Sequence, residues 1–524
     1  MLVHRFLEDA AARTPDAIAL IEPRRQISYA DLNQLANRAA HVLRGVGVRR
    51  GDRVVIALEN SFEMVAAYLG AMKAGAAAVP LPAGPRSDRL ARAIVDCAPG
   101  AAIVDPATSR EVTAEHPLST VPAVFVLRSQ ADVRRGLPLP DAMGDFQRAL
   151  DEAAHAPVDV RPVDVDLAAI IYTSGSTGEP RGVMLSHRNF SANAESIVQY
   201  LGLTAADRAM SILPFYYVYG LSVLHTHLAV GGSVVIDNRF TFPNVVLEAM
   251  RQHRVTGFAG VPSTFALLMH RSALETIELP DLRYVTQAGG AMPPTRVREW
   301  LERGPQVPFF VMYGATEASA RLTYLEPSRL REKLGSIGRP IPNVEIQVVK
   351  GDGTIAAGGE VGELVARGAN ISVGYWNNES ETRDKFGPLG YRTGDLGFVD
   401  ADGYLFLVGR VHDMLKVGAH RVGAKEIEDV LTEFAGVHEV AVVGAPDDLM
   451  GEVPVAFVSL TNELVPDEAA RDALLALCRS RLPAHKIPSR IVFRNDLPKL
   501  GAVGKIDKSR LRDEARTAAV AAAN

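Results

Sequence analysis

Polar and apolar positions along this chain fall into two alternating rhythms. A helical spacing from Tyr29 to Val46 gives way to a β-prone run from Arg53 to Leu58 and then to a second helical spacing from Ser61 to Ala74. That alternation predicts a layered α/β domain and persists to about residue 330. Ala168–Tyr172 is a short β-prone run, and a second strand resumes over Gly182–Leu185. Ser186 is placed to cap the next helix, in which Phe190, Ala194, Ile197 and Leu201 recur at spacings of four, three and four and so share one face. From Gly335 to Val408 short strands alternate with Gly-rich turns, which predicts a small β-rich subdomain. After Arg410 the α/β rhythm returns on a smaller scale, with helices over Lys425–Phe434 and Glu468–Arg481 and strands over Val437–Val443 and Val453–Leu460. The predicted fold is α/β. A large amino-terminal domain over 1–409, made of layered α/β subdomains plus the β-rich subdomain at 335–408, precedes a small mobile α/β carboxy-terminal domain over 410–524.

Composition narrows the partners more than the fold. The length of 524 residues exceeds one hydrophobic core, and 47% hydrophobic with 22% charged residues is the make-up of an ordinary globular enzyme. A net charge of −5, from 56 Lys and Arg against 61 Asp and Glu, gives no general basis for nucleic-acid or membrane binding. Small molecules are the expected partners, with the chain a monomer or homodimer. Cys97 and Cys478 are the only cysteines and lie far apart, so no disulfide framework is expected and a reducing cytoplasm is the default. The opening MLVHRFLEDAAARTPD mixes charge with apolar residues like a short amphipathic helix rather than a secretion signal.

The densest chemistry lies between the strands at Ala168 and Leu185. Thr173 to Gly182 reads TSGSTGEPRG, where Gly175, Gly178 and Gly182 let backbone N–H groups approach an anion. Thr173, Ser174, Ser176 and Thr177 add hydroxyl donors, and Arg181 adds a fixed positive charge. No Walker A pattern occurs, since the one Gly-Lys pair, Gly504-Lys505, is followed by Ile506. The segment therefore predicts a polyphosphate loop of another kind.

Four more polar segments follow: YGATE at Tyr313–Glu317, YRTGD at Tyr391–Asp395, GRVHDMLKVGAHRVGAKEIE at Gly409–Glu428, and LPKLGAVGKID at Leu497–Asp507. With the Thr173 loop, in this order, they resemble the adenylate-forming superfamily of acyl-CoA synthetases, carrier-protein adenylation domains and luciferases, over essentially the whole chain. The resemblance implies that Thr173, Ser174, Gly175, Ser176, Thr177 and Gly178 close over the β- and γ-phosphates of ATP, with Arg181 standing where relatives have lysine. It implies adenine contacts at Gly289, Gly290 and Ala291, stacking by Tyr313 beside Gly314, and an α-phosphate bond from Thr316. Glu317 would hold Mg²⁺, Asp395 would accept the ribose hydroxyls, and Lys505 would reach the α-phosphate and attacking carboxylate during adenylation. The joint is expected at Arg410 and His412, with Arg410 on the nucleotide and His412 as the hinge.

Two positions depart from the pattern. His412 stands where the family hinge has Asp or Lys, and Ala419 in VGAHR replaces a glycine of the pantetheine tunnel, with Gly418 adjacent to take over its role. The segment LPFYYVYGLSVLHTHL resembles the acyl-pocket stretch, placing Phe215, Tyr216, Tyr217, Tyr219 and Gly220 at the substrate, with His225 and His227 as further polar groups. No Asp stands there to pair a substrate ammonium, so a carboxylic acid other than an amino acid is expected. The implied reaction forms acyl-AMP and pyrophosphate, then turns the small domain so that Arg421 and its loop face the site while a thiol displaces AMP. CoA is the expected acceptor. A phosphopantetheinyl carrier protein and a non-thiol acceptor remain alternatives.

Overall fold

The structure, a computed structural model, describes every residue except 85–87, 111–115, 136–138, 141, 175–179, 419, 448, 462–463, 501–504 and 524; side chains at 88, 89, 130, 131, 174, 180, 412, 421, 500, 505 and 519–523 are also outside the described set. Two large sheets form the amino-terminal body. In the first, the strands run in the order Met143–Asp145, Val124–Val126, Ala101–Val104, Arg53–Ala57, Ala77–Pro80, Leu167–Ser174 and Pro180–Ser186. All neighbours are parallel except the last pair, an antiparallel hairpin. Its central strands are apolar on both faces because helices cover both sides.

The second sheet begins with a parallel block. Ile18–Glu22, Ser233–Ile236, Arg208–Ser211, Gly257–Gly260, Tyr284–Gln287 and Phe309–Tyr313 lie side by side. At Tyr313 the chain reverses, and Thr323–Leu325, Ser336–Pro340, Leu405–Arg410, Gly390–Val399, Gly362–Gly368 and Val344–Val349 continue the sheet antiparallel. The β-rich stretch thus extends the parallel sheet through Thr323–Leu325. The turn from parallel to antiparallel falls on the YGATE segment, and chain reversals at strand ends are where α/β sheets leave room for ligands.

Local signals account for the helices. Ser28 accepts from the Asp31 amide and Ser61 from that of Met64, starting Tyr29–Gly45 and Phe62–Lys73. Ser186 and Asn189 form a capping box for His187–Leu201, with Phe190, Ala194 and Ile197 buried along one face as their spacing predicts. The remaining residues form a separate sheet of Met414–Val417, His420–Gly423, Gly451–Leu460, Val437–Asp447 and Arg490–Phe493, packed on Ala424–Leu431 and Glu468–Arg481. Both cysteines are buried and free. No helix among the described residues is long and apolar enough to cross a membrane.

Candidate active site

The hairpin holds the predicted phosphate loop at its tip. Its register pairs Thr173 with Arg181 and Ser174 with Pro180, so Thr173 and Arg181 sit on strands rather than in the loop proper. Gly175, Ser176, Thr177, Gly178 and the Ser174 side chain lie outside the described residues. Arg181 forms an ion pair with Glu381 at 2.6 Å, and its guanidinium lies 5.9 Å from the Tyr375 ring centre. The segment carrying Tyr375 runs along the hairpin, with the Trp376 amide donating to the Gly182 carbonyl at 2.7 Å and the Met184 amide to Gly374 at 2.9 Å. The Tyr375 hydroxyl in turn donates to Glu317 at 2.8 Å. Burial, and then the Glu317 charge, push this phenol up from its ordinary range, so it stays a donor.

A second chain of bonds converges from the other side. Tyr313 ends the last parallel strand and donates to one oxygen of Asp395 at 2.5 Å, while Arg410 Nε donates to the other at 2.9 Å. The ladder sets this meeting, since Asp395 faces Arg410 across neighbouring strands. Burial and Asp395 hold the Tyr313 phenol far above its usual range, and Asp395 raises the Arg410 guanidinium. An ionised carboxylate has roughly four acceptor positions, so Asp395 keeps capacity for further donors. Tyr391, buried between the two chains, is raised by burial and by both Glu317 and Asp395. Gly289, Gly290 and Ala291 follow strand Tyr284–Gln287 at the rim, where the Gln287 amide donates to the Gly290 carbonyl at 2.8 Å.

The six residues from Thr316 to Arg321 are held under strain. Thr316–Ala318 form one tight turn, after which Ser319 has φ 56° and Ala320 φ 118°. Left-handed backbone at residues other than glycine costs on the order of 1–3 kcal/mol each and persists only where neighbours fix it. Here Asn370 and Asn193 both donate to the Arg321 carbonyl, at 2.8 and 3.2 Å, and Ser319 Oγ donates to the Asn370 carbonyl at 2.8 Å. Gly314 is required because a methyl group there would overlap the Ala320 carbonyl.

The Tyr-rich segment divides. Tyr219 and His227 line a cavity between helices His187–Leu201 and Val218–Val230 and the parallel strands. The Tyr219 hydroxyl bonds Thr286 at 3.0 Å and is pushed up to about 12 by burial; His227 bonds the Tyr284 hydroxyl at 3.2 Å. Tyr216 and Tyr217 instead line a second hollow with Pro80, Leu81, Pro82, Tyr172 and Thr173, near the hairpin tip. Phe215 lines neither cavity. It has no exposed surface and lies in the core beneath the first helices, its amide held by Asn60 at 2.8 Å. His225 is likewise withdrawn, 3.0 Å from the Tyr68 hydroxyl and edge-on to Phe190, because it lies on the helix face turned to that core. Gly220 sits in the first helical turn against the Pro214 carbonyl.

On the small domain, Lys505 pairs with Leu500 in a two-stranded ribbon, Arg421 pairs with Lys416, and His412 lies in the single turn Val411–Asp413. The side chains of Lys505, Arg421 and His412, and Ala419 as a whole, are outside the described residues. Gly418 has φ 58°, the left-handed conformation expected of a glycine in this loop. Arg512 ties the last helix to Asp413 beside the joint at 2.9 Å.

Sequence reasoning missed Tyr375, Glu381, Asn193, Asn370 and Arg321. Only Arg321 had a local signal, a lone charge four residues beyond Glu317 in the otherwise small and apolar ASARL. Among the described residues no three His, Cys, Asp or Glu side chains cluster as a metal site. Mg²⁺ is nonetheless compatible with Glu317, because it takes one or two carboxylates and completes its shell with water and phosphate oxygens.

A strand-turn hairpin facing a buried carboxylate, with a smaller α/β domain following the large one, is the architecture of the adenylate-forming enzymes. The chain belongs to the AMP-binding enzyme family, whose pattern matches residues 7–376, with the AMP-binding enzyme C-terminal domain matching 426–505. It is 31% identical over 98% of both chains to the indoleacetate–CoA ligase of Aromatoleum aromaticum, and 32% identical over 96% of both to a feruloyl-CoA synthase of an Amycolatopsis species. The anthranilate CoA ligase AuaEII, solved with anthranoyl-AMP, superposes with a TM-score of 0.91 at 28% identity, covering 99% of this chain and 98% of that one. The o-succinylbenzoate CoA synthetase of Bacillus subtilis, solved with its acyl-adenylate, does so with a TM-score of 0.84 at 30% identity, covering 97% and 98%.

Proposed function

We propose that this chain is an ATP-dependent ligase that joins a carboxylic acid to CoA through an acyl-AMP intermediate, releasing AMP and pyrophosphate. The observation that carries this reading is the meeting of two groups about the buried Tyr391: the Tyr375–Glu317 bond with Arg181 over the Tyr375 ring, and the Tyr313–Asp395–Arg410 chain at the end of the last parallel strand. Family membership and the CoA ligases among its relatives support CoA as acceptor.

In this reading the hairpin from Thr173 to Arg181 receives the β- and γ-phosphates, and Asp395 binds the ribose. Gly289, Gly290, Ala291, Tyr313 and Gly314 frame the adenine. Thr316 bonds the α-phosphate. The substrate carboxylate attacks α-phosphorus, and the bond to pyrophosphate breaks. Mg²⁺, held by Glu317 and the phosphates, supplies charge neutralisation when bound. Two anions must meet in this step, so cationic stabilisation by Lys505 is what lowers the barrier. Domain 410–524 then turns about His412, bringing Arg421 and the Gly418 loop to the site, and the CoA sulfur attacks the acyl carbon and expels AMP.

Incubating the protein with ATP, CoA and a panel of acids, and following AMP, pyrophosphate and thioester, tests the reaction. Lys505→Ala is expected to lower ATP–pyrophosphate exchange by about 10²–10³-fold while sparing thioester formation from supplied acyl-AMP. Equal loss of both steps would remove the assignment of Lys505 to adenylation.

A further inference from the structure

The cavity beside Tyr219 is lined by neutral groups with one exception. Tyr219, Ser222, Thr226, Tyr284 and Thr286 contribute hydroxyls, and burial keeps His227 below its ordinary titration range. The exception is Arg321, which is 3% exposed. No carboxylate among the described residues pairs with it. One Nη donates to the Ala320 carbonyl at 3.3 Å and the other to Ser222 Oγ at 3.4 Å, both long contacts, and Nε is buried with no partner. The Tyr219 ring lies 4.7 Å from the guanidinium carbon, and the buried Tyr200 phenol also neighbours it.

A buried guanidinium without a counter-ion carries a desolvation cost that a ring face only partly offsets. The edge formed by Nε and the Nη bonded to Ser222 is the edge that grips a carboxylate with two parallel bonds. The strained turn at Ser319 and Ala320, held by Asn193 and Asn370, aims the side chain into the cavity rather than toward solvent. The cavity has a volume of about 20 Å³, room for one or two water molecules and so for a carboxylate group rather than an alkyl tail.

We propose that Arg321 binds a second carboxylate at the far end of the acyl substrate, so that the enzyme activates dicarboxylic acids. This rests on the ligase reading above. The second carboxylate supplies the missing counter-charge, and a monoacid of equal length leaves the arginine buried and unpaired, which is the condition for strong discrimination.

The test compares linear diacids from malonate to suberate with matching monoacids and ω-hydroxy acids, each with ATP and CoA, by AMP release. The best diacid is expected to exceed its monoacid in kcat/KM by about 100-fold, and Arg321→Met to reduce that ratio by about 10- to 100-fold, with Arg321→Lys between them. Monoacids or hydroxy acids turned over as well as the diacids by the unaltered enzyme would overturn the proposal while leaving the ligase reading intact. AMP formation with no acid would instead overturn the ligase reading. Because the unaltered protein already decides the preference, the outcome does not depend on how Arg321→Met folds.

Discussion

Arg410 and Arg321 both belong to the proposed site, yet one meets a carboxylate and the other, among the described residues, meets none. Arg410 lies on an exposed strand end already paired with Asp395, on the side where the nucleotide is proposed to bind. Arg321 is fully enclosed, and the acyl side is incomplete. Under the proposed function, the difference separates what every reaction cycle shares, the nucleotide, from what a particular substrate has to bring.

The largest effect should come from breaking the paired side. Asp395→Ala leaves Arg410 and Tyr313 without their acceptor and is expected to lower kcat/KM for ATP by about 10²–10³-fold, equally for every acid. A loss confined to some acids would erase the distinction between the two sides. Next comes the Arg321→Met ratio change described above, which should leave the KM for ATP within about threefold if the acyl side is independent.

Acid pH should weaken the acyl side through its supports. His4, His187 and His225 are buried where the first helix, helix His187–Leu201 and the helix that carries Tyr219 meet, and burial depresses each to about 3. They are neutral when folded and protonate on unfolding, so their contribution is complete above about pH 6.5 and is lost as pH falls toward about 3, at up to about 1.4 kcal/mol per pH unit for each. Urea denaturation at successive pH values should show this slope, and His225→Phe should flatten it. The smallest effect is expected for Tyr375→Phe, which removes one bond to Glu317 and should slow adenylation about fivefold. No change in ATP–pyrophosphate exchange would mean that Tyr375 does not orient Glu317.

The residues proposed for the nucleotide were readable in the sequence where short contiguous motifs carry them, and Tyr375 and Glu381, which lie outside those motifs, were not. Glu317 and Asp395 sit beside the Thr, Gly and Tyr residues that build their own turns. The acyl side was not readable in that way. The lone charge of Arg321 in ASARL does not say which way it turns until Asn193 and Asn370 are known to clamp its carbonyl, and Asn193 is 128 positions away. Phe215 and Tyr219 both belong to one aromatic segment, but the start of helix Val218–Val230 turns one into the core and the other into the cavity. Periodicity predicts helices well; it does not say which neighbour a residue at the helix entrance will face.

Glu317 and Arg321 are separated by four residue steps on a turn whose backbone has almost no freedom, fixed by two asparagines and by the contact of Gly314 with Ala320. Such a turn holds its two ends at one spacing. Under the proposed reading, the acid is therefore measured between two fixed points, and its length, more than the shape of its middle, decides whether it fits.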